Sequence, residues 1–339
     1  MKDKRNVVLT DMEDKKDWSF LKALKETTGE EWENWSYVTN KYHGGKLKNL
    51  VRLLLYFVFP FRVFLKRKQY KNIIGWQQFY GLNFAFFSRL FHTKKTCNLL
   101  IMTFIYNYRG GWKGKLYHKY IRYIVTSKYI DRFVCFSRKE CEYYSNLFGM
   151  GKEKFVFIPL GIDVDEDYIV EKGNYLFTTG RSNRDNEFLV EALKGSNEKL
   201  VMACDSYKGE EPDNVEVDRD CYGEKMKTKM AGSFCVVIPL KNPQVSSGQL
   251  VVLQAMMFGK PVIVTRADGI ADYIEEGKNG FSVDKTREGV IKAIQRMRDD
   301  DELYERISAY SKKYFKEHYT VISMGRSIGK EIRGIKATK

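Results

Sequence analysis

Between residues 34 and 130 the chain carries no aspartate and no glutamate. The same stretch holds 18 of the lysines and arginines, more than the formal net charge of +15 on all 339 residues, so the remainder is slightly acidic. An evenly balanced surface is excluded, and a basic N-terminal part points to a polyanionic partner, either nucleic acid or an anionic membrane. Proline is scarce, at six residues, and no Ser/Gly-rich or acidic tract occurs, which excludes a largely disordered chain. No repeat of fixed period is visible, which argues against a solenoid. The six cysteines (Cys97, Cys135, Cys141, Cys204, Cys221 and Cys235) form no CxxC pair and have no histidine at ligand spacing. That excludes a zinc site and a disulfide framework, and suits small core residues in a reducing compartment. The opening MKDKRNVVLTDMEDKK lacks the apolar core of a signal peptide, so a cytoplasmic location is expected.

What is present is enough apolar sequence, 43%, for two domains of ordinary size. Short β-rich runs (NVVLT at 6–10, NIIGW at 72–76, LLIMTF at 99–104, RFVCF at 132–136) are separated by helical stretches, which predicts a parallel α/β sheet. Ser137 and Glu140 after the last run form a capping box, so Ser137 is read as a cap and not as a nucleophile. FVFIPLGID at 155–163 reads as a strand leading into a connection between domains. Alternation then restarts: strands at 175–179, 200–204, 234–240 and 261–265, and helices at 187–193, 223–231 and 250–258. Open sheets of this kind bind ligands beyond the carboxyl ends of their strands.

Residues 46–68, KLKNLVRLLLYFVFPFRVFLKRK, have an apolar centre flanked by bases. The segment is too short and too basic to span a bilayer, which takes about 20 apolar residues. Pro60 is expected to end or kink a helix there. The pattern suits a helix lying on an anionic membrane surface, the alternative being a core helix with basic ends.

Two places could carry chemistry. Gly180-Arg181-Ser182-Asn183-Arg184-Asp185 follows a strand, and two guanidinium groups beside a close-approach glycine suit a diphosphate clamp, the alternative being a solvated turn with exposed arginines. Ser246-Ser247-Gly248-Gln249 precedes LVVLQAMMFGK, where serines can cap a helix whose positive end accepts an anion. Gln254, further along that helix, can both accept from and donate to ribose hydroxyls. Gly259 sits where a helix-terminating glycine belongs.

Together FIPLGID (157–163), LFTTGRSNRD (176–185), SSGQLVVLQAMMFGKPVIVT (246–265) and ADYIEEGKNGF (271–281) resemble the retaining GT-B glycosyltransferases of family four, many of which build bacterial polysaccharides and glycolipids. The resemblance covers about residues 155–281. It implies a GT-B fold of class α/β, with two Rossmann-like doubly wound domains facing a central cleft. The expected organisation is an N-terminal acceptor-binding, membrane-facing domain over 1–160 and a nucleotide-sugar-binding domain over 161–315. A closing helix over 316–339 is expected to pack back on the first domain. Family members commonly place two glutamates across the donor helix, one on the sugar and one on the ribose; here those positions are Ser246 and Gln254. The Gly-Gly loop often found after the first strand is absent.

The resemblance implies transfer of a sugar from a nucleotide diphosphate, UDP above all, to a hydroxyl of a glycan or lipid-linked acceptor. It further implies retention of configuration, no metal and no cofactor other than the nucleotide-sugar co-substrate. Arg181, Arg184 and Ser246 take the catalytic positions, with Gly180, Ser247, Gly248, Gln249 and Gln254 binding the donor. Trp76, Gln77, Gln78, Tyr106 and Asn107, near the ends of N-terminal strands, are the candidate acceptor residues. No general base stands out; His92 and His118 are the available imidazoles. The partners expected are a nucleotide sugar, the acceptor and an anionic membrane, with the protein peripheral on the inner face of that membrane. Two other readings remain: a GT-B protein that binds without catalysis, because the paired glutamates are missing, and a nucleic-acid binder. The second lacks any helix-turn-helix, zinc or RNA-recognition pattern.

Overall fold

A computed structural model defines residues 4–15, 17–39, 44–108, 110–165 and 167–335. The chain divides into two units, residues 1–159 with 322–339, and residues 160–321. Residues 336–339 of the expected closing helix lie outside the described residues.

The first unit is built on β1 (Arg5–Thr10), β2 (Trp32–Ser36), β3 (Tyr70–Gly75), β4 (Asn98–Ile101), β5 (Arg132–Cys135) and β6 (Phe155–Phe157). They form one sheet in the order β2-β1-β3-β4-β5-β6, and every pairing is parallel. Val7, Val8, Ile73, Ile74, Leu99, Leu100 and Phe133 are buried on both faces, the pattern of a sheet covered by helices on each side. Those helices include α1 (Ser19–Thr28), α2 (Lys46–Leu65), α3 (Gln78–Leu90), α4 (Gly111–Val125) and α5 (Arg138–Phe148). The capping box forms: Ser137 Oγ accepts from the Glu140 N–H at 3.0 Å, and Glu140 Oε2 accepts from the Phe136 N–H at 3.1 Å.

Of the two outcomes expected at Pro60, an end or a kink, the helix end does not occur: α2 runs on to Leu65. A proline inside a helix leaves the carbonyl four residues earlier without its donor. Here that carbonyl, on Tyr56, accepts instead from the side-chain amide of buried Asn83 on α3 at 2.6 Å. The missing helical bond is supplied from the neighbouring helix, so the break costs little. The outer face of α2 stays apolar and open: Leu47, Leu50, Leu53, Leu54 and Val58 are all exposed. Among the described residues no helix is long and apolar enough to cross a membrane.

The second unit repeats the plan with β7 (Tyr175–Thr179), β8 (Lys199–Ala203), β9 (Val215–Asp218), β10 (Cys235–Ile238), β11 (Val262–Thr265) and β12 (Gly280–Val283). The order is β12-β11-β10-β7-β8-β9, again all parallel. Numbered within the unit this is 3-2-1-4-5-6, with the direction of winding reversing between β7 and β10. Its helices are α6 (Asn186–Leu193), α7 (Gly223–Ala231), α8 (Gln249–Met257), α9 (Arg287–Arg298) and α10 (Asp301–His318). The last helix, α11 (Val321–Gly334), belongs almost wholly to the first unit. There it lies against α1 closely enough that a Cβ on Gly325 or Gly329 would stand 2.8 Å from Ala23 or 2.7 Å from Thr27.

Candidate functional site in the second unit

The reversal between β7 and β10 fixes where a ligand crevice opens, just past the carboxyl ends of those two strands. The segment after β7 begins at Gly180 and the segment after β10 runs through Lys241 to Gly248. The two are tied together along their length. Arg184 and Leu240 form an isolated antiparallel bridge, the Asp185 N–H donates to the Pro239 carbonyl at 2.8 Å, and the Lys241 N–H donates to the Asn183 carbonyl at 3.1 Å.

Asn183 is the centre of that joint. Its backbone is left-handed (φ 56°), which asparagine tolerates better than most residues. Its amide donates to the Asn242 carbonyl at 2.9 Å and to Ser247 Oγ at 3.0 Å, while its oxygen accepts from the Asn242 N–H at 2.8 Å. The sequence reading passed over this residue; its one signal was an asparagine between two ligand-type residues where the chain must turn.

Arg184 faces the crevice. Its Nε donates to the Thr179 carbonyl and its Nη1 to the Ser182 carbonyl, each at 3.0 Å, which holds the guanidinium across Gly180. A Cβ on Gly180 would sit 2.8 Å from Nη2, and one on Gly248 would sit 3.8 Å from the same atom. Gly180 (φ 113°) and Gly248 (φ 95°) are both in backbone conformations that side chains rarely adopt. Burial pulls the Arg184 guanidinium down to about 10, so it remains charged at neutral pH. Arg181 turns the other way, toward the end of β8. Its Nη2 pairs with Asp205 at 2.6 Å, its guanidinium lies over the Tyr222 ring, and its side chain is 66% exposed. The two arginines read as one clamp therefore point to opposite sides of the β7 terminus.

The start of α8 corrects a second expectation. Its N-cap is Gly248, not a serine, and no side chain caps its first turn. The serine hydroxyls are engaged elsewhere: Ser247 accepts from Asn183, and Ser246 Oγ donates to the Gly269 carbonyl at 3.3 Å. Gln249, buried, donates to Ser246 Oγ at 2.5 Å and to the Gly269 carbonyl at 2.8 Å. Ser246 and Gln249 are thus joined to the 266–270 loop, with Gly269 packed so tightly that a Cβ there would meet Ser246 Cα at 2.4 Å. Unbonded amides at a helix N-terminus, beside a fixed guanidinium, make an anion site. Gln254 is half-buried on α8, and Gly259 follows the helix with the positive φ (65°) expected of it.

In the first unit the five candidate acceptor residues split. Trp76 packs edge-on against Trp18 and Phe20. Gln77 caps α3 through Phe79 and donates to Asp11 at 2.7 Å. Gln78 is held to both backbone groups of Ile105. Tyr106 is buried with its hydroxyl against His118 Nδ1 at 2.8 Å, and it lines a pocket together with Asn107. That bond and the stacking of His118 on Phe148 give the imidazole a structural role. Among the described residues no group of three or more His, Cys, Asp or Glu could hold a metal ion.

Residues 189–314 match the family model described as Glycosyl transferases group 1. HepE of Anabaena, solved with UDP, superposes with a TM-score of 0.66 at 13% identity, covering 97% of this chain and all of that one. Sucrose-phosphate synthase of Thermosynechococcus elongatus gives 0.69 at 14% identity, covering 98% and 99%. WaaG, a glycosyltransferase involved in lipopolysaccharide biosynthesis, gives 0.61 at 14% identity, covering 97% and 100%. The chain has the GT-B glycosyltransferase fold. No curated protein sequence matches this one at a significant level. The matched segment contains the whole α8 side of the β7/β10 switch point, including Ser246, Gly248, Gln249 and Gln254, whereas Gly180 and both arginines lie just before it.

Proposed function

We propose that the protein transfers a glycosyl unit from a nucleoside-diphosphate sugar, UDP-linked, to a hydroxyl of a glycan or lipid-linked acceptor. One observation carries the reading: the uncapped start of α8, inside the segment matching Glycosyl transferases group 1, and the Arg184 guanidinium, just before that segment, converge on the β7/β10 switch point. The HepE structures with UDP and with UDP-glucose, and the lipopolysaccharide role of WaaG, support the donor class and the acceptor class respectively. As the C1–O bond to the diphosphate breaks, negative charge grows on the leaving phosphate. Arg184 and the first-turn amides of α8 stabilise it where it forms, and Arg181 adds a second charge at longer range. The acceptor oxygen bonds to C1, and its proton passes to a donor phosphate oxygen, so the sugar is transferred with retention and neither a metal nor a protein nucleophile takes part. Gln254 serves the ribose and Ser246 the sugar pocket. In this reading the first unit is the acceptor side, seated on an anionic membrane through α2, and the product enters surface polysaccharide or glycolipid.

The test is release of UDP from a panel of UDP-sugars, with and without a lipid-linked acceptor, alongside calorimetric titration of UDP. Tight UDP binding with no turnover on any donor would favour a GT-B binding protein without catalysis, as the missing glutamates at Ser246 and Gln254 allow.

A further inference from the structure

The first unit contains a pocket of about 810 Å³ lined by its own residues alone. It lies among α2, α3, α4 and the loop after β4, and its size is that of a small-molecule site. Its wall is aromatic: Tyr56 stacks on Phe79 with centroids 5.4 Å apart, and Tyr117 on Tyr120 at 6.4 Å. Three polar side chains of that wall are already engaged within the protein. Asn83 donates to the Tyr56 carbonyl and accepts from the Tyr120 hydroxyl, while Tyr106 is bonded to His118. At the mouth, Gln78 takes up both the N–H and the carbonyl of Ile105. A sugar needs free donors and acceptors converging on its hydroxyls, and in this wall Asn83, Tyr106 and Tyr120 have already bonded theirs within the protein.

The mouth has the opposite character from a sugar site. Leu53 and Ile105 line it at 54% and 56% exposure, and Trp112 and Leu116, next in sequence to the lining residues Lys113 and Tyr117 of α4, are 72% and 61% exposed. Exposed apolar side chains concentrated round one opening mark an apolar ligand. Two cations also line the pocket, Arg52 on α2 and Lys113 on α4, within the stretch that has no carboxylate.

We infer that this pocket takes the single aliphatic chain of an anionic lipid, with the phosphate head group held between Arg52 and Lys113. Calling that lipid the glycosyl acceptor rests on the transfer reading above; its binding does not. The choice within the acceptor class is then lipid-linked rather than free glycan, and the outer face of α2 brings the protein to the bilayer from which the lipid is drawn.

The experiment is calorimetric titration of the full chain with dodecyl phosphate below its micellar concentration, so that no membrane is present. Saturation at one per chain is expected, with at least tenfold weaker binding in the Leu53→Glu/Ile105→Glu variant, whose thermal midpoint is checked to show it folds. Inorganic phosphate alone should give no heat. Equal affinity in the variant, uptake without saturation, or displacement of the probe by a neutral oligosaccharide would overturn the inference. Titration of the wild-type chain with UDP separates the two proposals: saturable dodecyl phosphate binding without UDP binding supports the pocket and removes the transfer reading.

Discussion

Asn183 donates its side-chain amide to the Ser247 hydroxyl at 3.0 Å and so joins the loop after β7 to the loop that enters α8. The groups assigned to the diphosphate in the proposed reaction sit on either side of this bond, Arg184 on one loop and the α8 amides on the other. Their spacing is therefore set by a residue that need not touch the ligand.

Replacing Asn183 by glycine removes the amide while keeping the left-handed backbone free of strain. The variant should fold normally by circular dichroism yet bind UDP at least tenfold more weakly in calorimetry. Affinity equal to the wild type would mean the two loops hold their spacing without this bond.

The opposite orientations of the two arginines predict unequal effects. Arg184→Ala should lower kcat/KM for the donor by about 100-fold, equivalent to about 2.7 kcal/mol of transition-state stabilisation. Arg181→Ala, from a side chain already paired with Asp205, should cost about tenfold, of which the larger part appears in KM. The reverse ranking, measured by UDP release, would place the leaving phosphate on the β8 side of the strand end.

Asn83 and Pro60 form a pair whose coupling can be measured. Asn83→Leu leaves the Tyr56 carbonyl buried without a donor and should destabilise the first unit by about 1–3 kcal/mol. In a Pro60→Ala background the alanine N–H can close the helical bond to Tyr56, so the same substitution should cost clearly less. All five tryptophans lie in the first unit, which lets urea unfolding followed by their fluorescence report on it selectively.

Lys260 gives the second unit a pH dependence. The side chain is buried at 1% exposure, with Nζ donating to the Glu171 and Ser233 carbonyls. Burial, with Lys312 nearby, brings its ammonium down to about 8 from an ordinary 10.5. Between those values the unfolded chain binds more protons than the folded one, so stability rises with pH; below about 8 the penalty is fully present and constant. Relative to Lys260→Met, the wild type should therefore gain stability from pH 8 to 10, at up to about 1.4 kcal/mol per pH unit. Urea unfolding followed by circular dichroism checks this; a flat difference across that range would show that the ammonium keeps its ordinary proton affinity when folded.

Much of the fold could be read along the chain because buried parallel strands are unbroken apolar runs, as at Val7–Leu9, Ile73–Ile74 and Val262–Val264. The edge strands β2 and β9 escaped notice for the converse reason. WENWS and VEVD alternate charge with apolar residues at the margins of their sheets, where one side of the strand has no neighbour to bury it. The long expected runs also shortened: β4 stops at Ile101 because Thr103 turns left-handed (φ 48°), which no apolar count anticipates.

The sequence by itself determined the alternation of strands and helices, the placement of charge, and the two segments, 180–185 and 246–249, that flank the β7/β10 switch point. Those depend on local pattern and residue type. Only the tertiary structure decided which way Arg181 and Arg184 face, that the cap of α8 is Gly248 and leaves the serines to Asn183 and Gly269, and that α2 passes through Pro60. Most of these turn on a partner distant in the chain, Asp205, Gly269 or Asn83, whereas Arg184 is held by the nearby carbonyls of Thr179 and Ser182. A side chain's free hydrogen bonds go to whatever the fold brings within about 3 Å, and that is not written in its immediate neighbours.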